Sequence, residues 1–193
     1  MRRQPAASAP DAAGLHEAAL NYLARYAATE AGLRRVLERR VDRWARRAAT
    51  TQDAEATEMQ AAAARAAVPE IVARLVAAGA VNDAAYAESR ARTLARAGRS
   101  RRAAAAHLAA KGVDPATARA ALPNDDQSEL AAALVLARKR RIGPFRLGAA
   151  PDAAGRRREL GVLARAGFPQ SMARPALDCD RDQAETLANA LRC

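Results

Sequence analysis

Aromatic side chains are scarce: Tyr22, Tyr26, Trp44, Tyr86, Phe145 and Phe168 are all that 193 residues contain. Large rings supply much of the buried area of a big core, so their scarcity argues for several thin helix contacts instead. Cysteine is limited to Cys179 and Cys193, late in the chain and without metal-ligand spacing. They read as free thiols of a reducing compartment, with a bond between the C-terminal segments as the alternative. No apolar run approaches the roughly 20 residues that span a bilayer. The opening stretch, with Arg2 and Arg3 followed by QPAASAPDAAG, lacks the apolar centre of a signal peptide. A soluble, cytoplasmic protein without membrane partners is expected. His16 and His107 stand far apart, and the sequence has no glycine-rich phosphate loop, metal-ligand cluster or nucleophile motif. Neither an enzyme nor a cofactor-binding or metal-binding protein is expected.

Alanine and arginine fill the gap. There are 57 alanines, and Lys111 and Lys139 are the only lysines, so the net charge of +11 is almost wholly guanidinium. Residues 1–60 carry +2, residues 61–124 carry +6 and residues 125–193 carry +3. Arginine forks suit phosphates and carboxylates, so this balance favours a polyanion or an acidic protein surface. The plain alternative is the solvated surface of an arginine-rich proteome.

A helical unit is used more than once. RRAAAAHLAAKGVDPATARAAL (101–122) and RRRELGVLARAGFPQSMARPAL (156–177) align at an offset of 55 residues. The offset pairs Arg101 with Arg156, Leu108 with Leu163, Gly112 with Gly167, Val113 with Phe168 and Leu122 with Leu177. Each copy reads as a helix, a glycine stop, a hydrophobic residue and a short second helix. Ser100 caps the first helix of the earlier copy, and Asp114-Pro115 opens its second as N-cap and N1. Leu23-Ala24-Arg25, Leu94-Ala95-Arg96 and Leu136-Ala137-Arg138 extend the likeness outward, and an offset of 71 places Thr29 on Ser100 and Leu37 on Leu108.

Elsewhere, Asp11 caps a helix running to about Ala28. Thr29 caps a longer one, whose Leu33, Leu37, Val41 and Trp44 recur at four, four and three residues. Arginines occupy most of its remaining circumference. Thr50 to Ala67 reads as a helix, Pro69 as the start of a separate segment, and Asn82 or Asp83 as the cap of the next. Leu37, Tyr86, Leu94, Leu108, Leu163 and Phe168 are the expected module cores. Trp44 packs either under its own helix or between modules. The expected fold class is all-α: three tandem three-helix modules in an elongated, curved array. The boundaries fall at a disordered tail over 1–10, a first module with an extended linking helix over 11–67, a second over 68–123 and a third over 124–193.

The order of these elements resembles the RecX family of regulatory proteins. Residues 71–113 carry the likeness to its central module: Leu75 and Gly79 end one helix, and Asp83-Ala84-Ala85-Tyr86-Ala87 opens the next. Gly98-Arg99-Ser100 forms the turn, and Leu108, Gly112 and Val113 close the unit. The later ARKRRIGPFR, with Leu163, Arg165, Gly167 and Phe168, is similar to the family's third module. The resemblance spans about residues 15–178 and departs from the common pattern over the alanine-rich 45–67. It implies a cofactor-free modulator of RecA that lies along the groove of the RecA–DNA filament and restrains its ATPase and strand exchange.

The candidate contact residues are the basic ones around the turn between the first and second helices of two modules. They are Arg96, Arg99, Arg101 and Arg102 in the second module, and Arg138, Lys139, Arg140, Arg141, Arg146, Arg156, Arg157 and Arg158 in the third. Expected partners are the RecA filament and the backbone of single- or double-stranded DNA, engaged by a monomer. The rival reading is an autonomous, non-specific DNA-binding protein built from helix-turn-helix-like units. No unit shows the Gln-, Asn- or Ser-rich helix start that would read base edges; alanine and arginine dominate.

Overall fold

A computed structural model describes residues 8–191. Most of the expected tail over 1–10, and Cys193 with any bond it would make, lie outside the described residues. Ten α-helices and one 3-10 turn account for the regular structure, with no strand among the described residues. The chain divides into two compact units, and the division falls between Tyr86 and Ala87.

The first unit holds α1 (Ala12–Leu23), α2 (Glu30–Ala48) and α3 (Ala54–Ala77). Each begins with a side chain that accepts an otherwise orphaned amide: Asp11 from Gly14, Thr29 from Gly32 and Asp53 from Ala56. The first helix stops at Leu23, short of the Ala28 expected; a turn over 24–25 and a non-helical stretch lead to Thr29, which is extended (φ −81°, ψ 162°) and caps α2. Leu15, Ala19, Leu33, Leu37, Val41, Trp44, Ala48, Val68, Ile71 and Leu75 form one core. Trp44 therefore packs inside this unit, beneath its own helix.

The break expected at Pro69 is absent, since α3 runs through it and across residues 67 and 68. The reason is the stripe that α3 buries: Thr57, Ala61, Ala64, Val68, Ile71, Val72 and Leu75 continue in helical register on both sides of the proline. Packing of this face overrides the missing amide and the crowding of the preceding turn. Asn82 and Asp83, expected as rival caps of the next helix, divide the work. Asn82 accepts from Ala85 at the start of that helix, and Asp83 accepts from Glu30 at the start of α2, 2.8 Å away.

From Asp83 onward come α4 (Asp83–Arg96), whose first turn precedes the division, then α5 (Arg101–Lys111), α6 (Pro115–Ala121), α7 (Asp126–Arg140), α8 (Ala153–Arg165), α9 (Gln170–Asp178) and α10 (Arg181–Ala190). A 3-10 turn over Gly143–Phe145 lies between α7 and α8. The core of α4 to α6 is thin, made by Ala87, Ala91, Leu94, Ala104, Leu108, Val113 and Ala118. Tyr86 is half-buried rather than a core residue. The helices α7 to α10 share a fuller core of Leu134, Val135, Phe145, Leu163, Phe168, Ala176, Leu177 and Ala184.

Two glycines, Gly98 and Gly167, set how closely the repeats of the second unit approach. Gly98 adopts φ +75°, and a Cβ there would sit 2.9 Å from the backbone nitrogen of Leu136, so the α4–α5 turn lies flat on α7. Gly167, at φ +92°, leaves room for the Ser100 hydroxyl, which would be 2.6 Å from an added Cβ. That hydroxyl accepts from Ala103 as the α5 cap and donates to the Ala166 carbonyl at 2.8 Å. One buried serine thus starts the first helix of one repeat and ties down the glycine stop of the other.

Candidate functional site

Helix α5 begins with two arginines, which face the positive end of their own helix dipole. Its first amide, that of Arg101, donates to both oxygens of Glu129 on α7, at 3.2 and 2.9 Å. The Arg101 guanidinium also reaches Glu129 at 3.5 Å and Asp126 at 3.1 Å. Glu129 is only 3% exposed. Burial raises its pKa above the usual carboxylate value, and the Arg101 amide and charge pull the other way. Arg101 is thus occupied in neutralising a buried acid.

The stretch from the α7–α8 loop into α8 repeats this arrangement. Arg146 forms a fork on Glu159 of α8, with bonds of 3.0, 2.7 and 2.6 Å, and both side chains are largely buried. Arg156 pairs with Asp178 at the end of α9. Arg96 donates to the Leu191 carbonyl and Arg138 to Asn189, so both reach the C-terminal end of α10, where cations are favoured. Lys139 donates to the Ala97 carbonyl at 2.8 Å, at the end of α4.

The side chains of Arg99, Arg102, Arg140, Arg141, Arg157 and Arg158 are exposed and make no ion pair or hydrogen bond among the described residues. They fall into two places. Arg99 and Arg102 border the α4–α5 turn. Arg140 stands one helical turn beyond Leu136, whose backbone abuts Gly98. With Lys139 anchored on Ala97, the end of α7 and this turn form one basic patch, which Arg141 extends. Arg157 and Arg158 lie towards the start of α8, at the opposite end from Gly167.

The sequence reading did not single out Glu129 and Glu159, although the repeat held the signal. At the offset of 55 residues Glu159 occupies the register of Ala104, and at the 42-residue offset of the Leu-Ala-Arg triplets Glu129 occupies that of Ala87. Both alanines are buried. An acid at a core register announces a buried partner.

His107, half-buried in α5, accepts from Arg90 Nε through its Nε2 at 3.0 Å. Burial foremost, then the charges of Arg90, Lys111 and Arg99, hold its pKa below the ordinary value, consistent with a neutral acceptor that joins α5 to α4. The pit between α4, α5 and α7, lined in part by Arg99, Arg101, Leu122 and Glu129, has a volume of about 20 Å³. That is room for little more than one water. No group of three or more potential metal ligands occurs among the described residues. None of the helices described is long and apolar enough to cross a membrane.

Fold and site together define a class: an all-α protein of helix-turn-helix modules whose exposed chemistry is a guanidinium patch on a turn. A family model described as RecX, second three-helix domain, matches residues 82–122, which are α4, α5 and α6. The regulatory protein RecX of Myxococcus xanthus is 42% identical over 166 residues, covering 85% of this chain and 84% of that protein. The regulatory protein RecX of Agrobacterium fabrum is 37% identical over 108 residues, covering 56% and 57%. The crystal structure of RecX from Lactobacillus salivarius shares the fold with a TM-score of 0.62 at 19% identity, over 93% of this chain and 99% of that one. The chain belongs to the RecX family. Its relatives are named as regulatory proteins, in keeping with a non-enzymatic role.

Proposed function

We propose that this protein regulates homologous recombination by binding the RecA–DNA filament and restraining its ATPase and strand-exchange activity. The observation that carries the reading is the patch of Arg99, Arg102 and Arg140 in and beside the module that the RecX family model matches. These side chains are exposed and uncommitted, whereas the neighbouring Arg101 and Arg146 are spent on buried glutamates. Exposed arginines gathered on one turn suit an acidic protein surface or a phosphate backbone, and a nucleoprotein filament presents both. Acting as a monomer in the cytoplasm, the protein would lay successive modules against successive protomers, so that modest contacts sum through effective concentration.

The test is equilibrium binding to RecA assembled on single-stranded DNA, comparing the wild type with the R99Q/R102Q/R140Q variant. Three exposed charge contacts at about 0.5–1 kcal/mol each predict a loss of roughly 10- to 100-fold with helicity unchanged. Wild-type affinity in the triple variant would remove the patch from the interface. Tight binding to bare DNA with no affinity for the filament would favour the autonomous DNA-binding reading.

A further inference from the structure

The helix α2 presents a second basic surface, this one on the first unit. It is 19 residues long, against 11 for α5. When Thr29 is set on Ser100, Lys111 at the end of α5 falls on Arg40. Residues beyond Arg40 are therefore an extension that the second module lacks. Val41, Trp44 and Ala48 bury the inner side of this extension in the first-unit core. Its outer side carries Arg43, Arg46 and Arg47, continuing from Arg39 and Arg40, and all five are exposed.

At 100° per residue these five guanidinium groups spread over an arc of roughly 120°. Folding does not explain them. Arg39, Arg43 and Arg47 follow one another at four-residue spacing, where like charges repel across each turn. Arg46 and Arg47 gain from the C-terminal end of the helix dipole, but Arg39, Arg40 and Arg43 lie before the last turn. Asp42, the acid at the edge of the arc, is engaged by Arg65 of α3 at 3.0 Å. No ion pair is formed by Arg39, Arg40, Arg43, Arg46 or Arg47 among the described residues.

We propose that the outer face of α2 is a docking surface for the phosphate backbone of duplex DNA, read without regard to sequence. From Arg39 to Arg47 the helix rises about 12 Å, so its five positive charges come at roughly one per 2–3 Å of axis. Duplex DNA carries one negative charge per about 1.7 Å of axis, a comparable density. The arc forms two rails, Arg39 with Arg46 and Arg40 with Arg47, with Arg43 between them. A helix about 10–12 Å across can therefore set one rail on each wall of a groove. Single-stranded nucleic acid is the poorer fit, because its binders pair charge with exposed aromatic platforms and the one ring on α2, Trp44, points into the core. The exposed face also lacks Asn and Gln for base edges, so the contact carries affinity and no sequence preference.

The experiment is fluorescence anisotropy of the full chain with a mixed-sequence duplex, without RecA, between about 50 and 200 mM salt. With roughly four phosphates neutralised, the slope of log affinity against log salt should be near −3.6, a loss of about 100-fold across that range. R39Q/R43Q/R47Q should weaken binding at the lowest salt by at least tenfold and reduce the slope by about 2 to 3, equally on unrelated sequences. R39K/R43K/R47K keeps the charges and should keep the slope. Circular dichroism of each variant checks that α2 remains folded. The proposal is overturned if the wild type does not bind duplex, prefers single strands of equal charge, or keeps its slope in the glutamine variant. It is equally overturned if that variant loses filament binding while its duplex binding is unchanged, which would make the face an acidic-protein contact. Because RecA is absent, failure here leaves the filament reading untouched, and failure of that reading leaves this one standing.

Discussion

Replacing Gly167 with alanine should destabilise the second unit through two separable effects. The glycine adopts φ +92°, where a Cβ costs on the order of 1 kcal/mol. That Cβ would also stand 2.6 Å from Ser100 Oγ, closer than two such atoms approach, so the serine must rotate away. It then gives up its cap on Ala103 and its buried bond to the Ala166 carbonyl. At about 1 kcal/mol for each, the total is roughly 3 kcal/mol. For a unit of this size the melting temperature should fall by something on the order of 15 °C. Far-ultraviolet circular dichroism during thermal and urea unfolding provides the assay, with S100A and the double variant completing a cycle. S100A alone should cost about 2 kcal/mol. In that background G167A should add only the backbone cost of about 1, since the hydroxyl it strikes is gone. Strict additivity of the two substitutions would refute the account of how the two repeats are joined.

Other substitutions test the buried acids and the histidine. R146A leaves Glu159 largely buried without its fork and should cost about 3 kcal/mol, whereas R146M/E159L, which removes both charges, should recover most of that in urea unfolding. For His107 the folded pKa lies below the unfolded one, so its stabilising contribution is full above the unfolded value of about 6.5. The contribution is lost as pH falls from there through the folded pKa. H107Q, which keeps an acceptor for Arg90 and does not titrate, should therefore lose less stability than the wild type between about pH 7.5 and 5.5. Parallel losses in urea midpoint would show that the imidazole is not the titrating group.

Much of the second unit was legible in the sequence because its signals are local. Ser100, Gly112 and Asp114-Pro115 are caps and stops, and the leucines at 94, 108 and 163 sit where the repeat places them, buried. Non-local causes were not legible. Pro69 is a local breaker, and only the continuous buried stripe of α3 against α1 and α2 outweighs it. Asp83 looks like a cap of its own helix, but its acceptor serves Glu30, 53 residues earlier. Among the basic residues, the sequence located the clusters without distinguishing the exposed Arg99 and Arg102 from Arg101. That distinction depends on Glu129 and Asp126 arriving from α7. A charge run shows where cations are, and only the packing shows which are already occupied.

The central claim is that this chain restrains RecA, and the rate of ATP hydrolysis by RecA on single-stranded DNA tests it most directly. Titrated from well below one copy per RecA protomer, the wild type should lower that rate progressively, and R99Q/R102Q/R140Q should need a markedly higher concentration for the same effect. An ATPase rate unchanged up to equimolar protein, with the chain folded, would contradict the account.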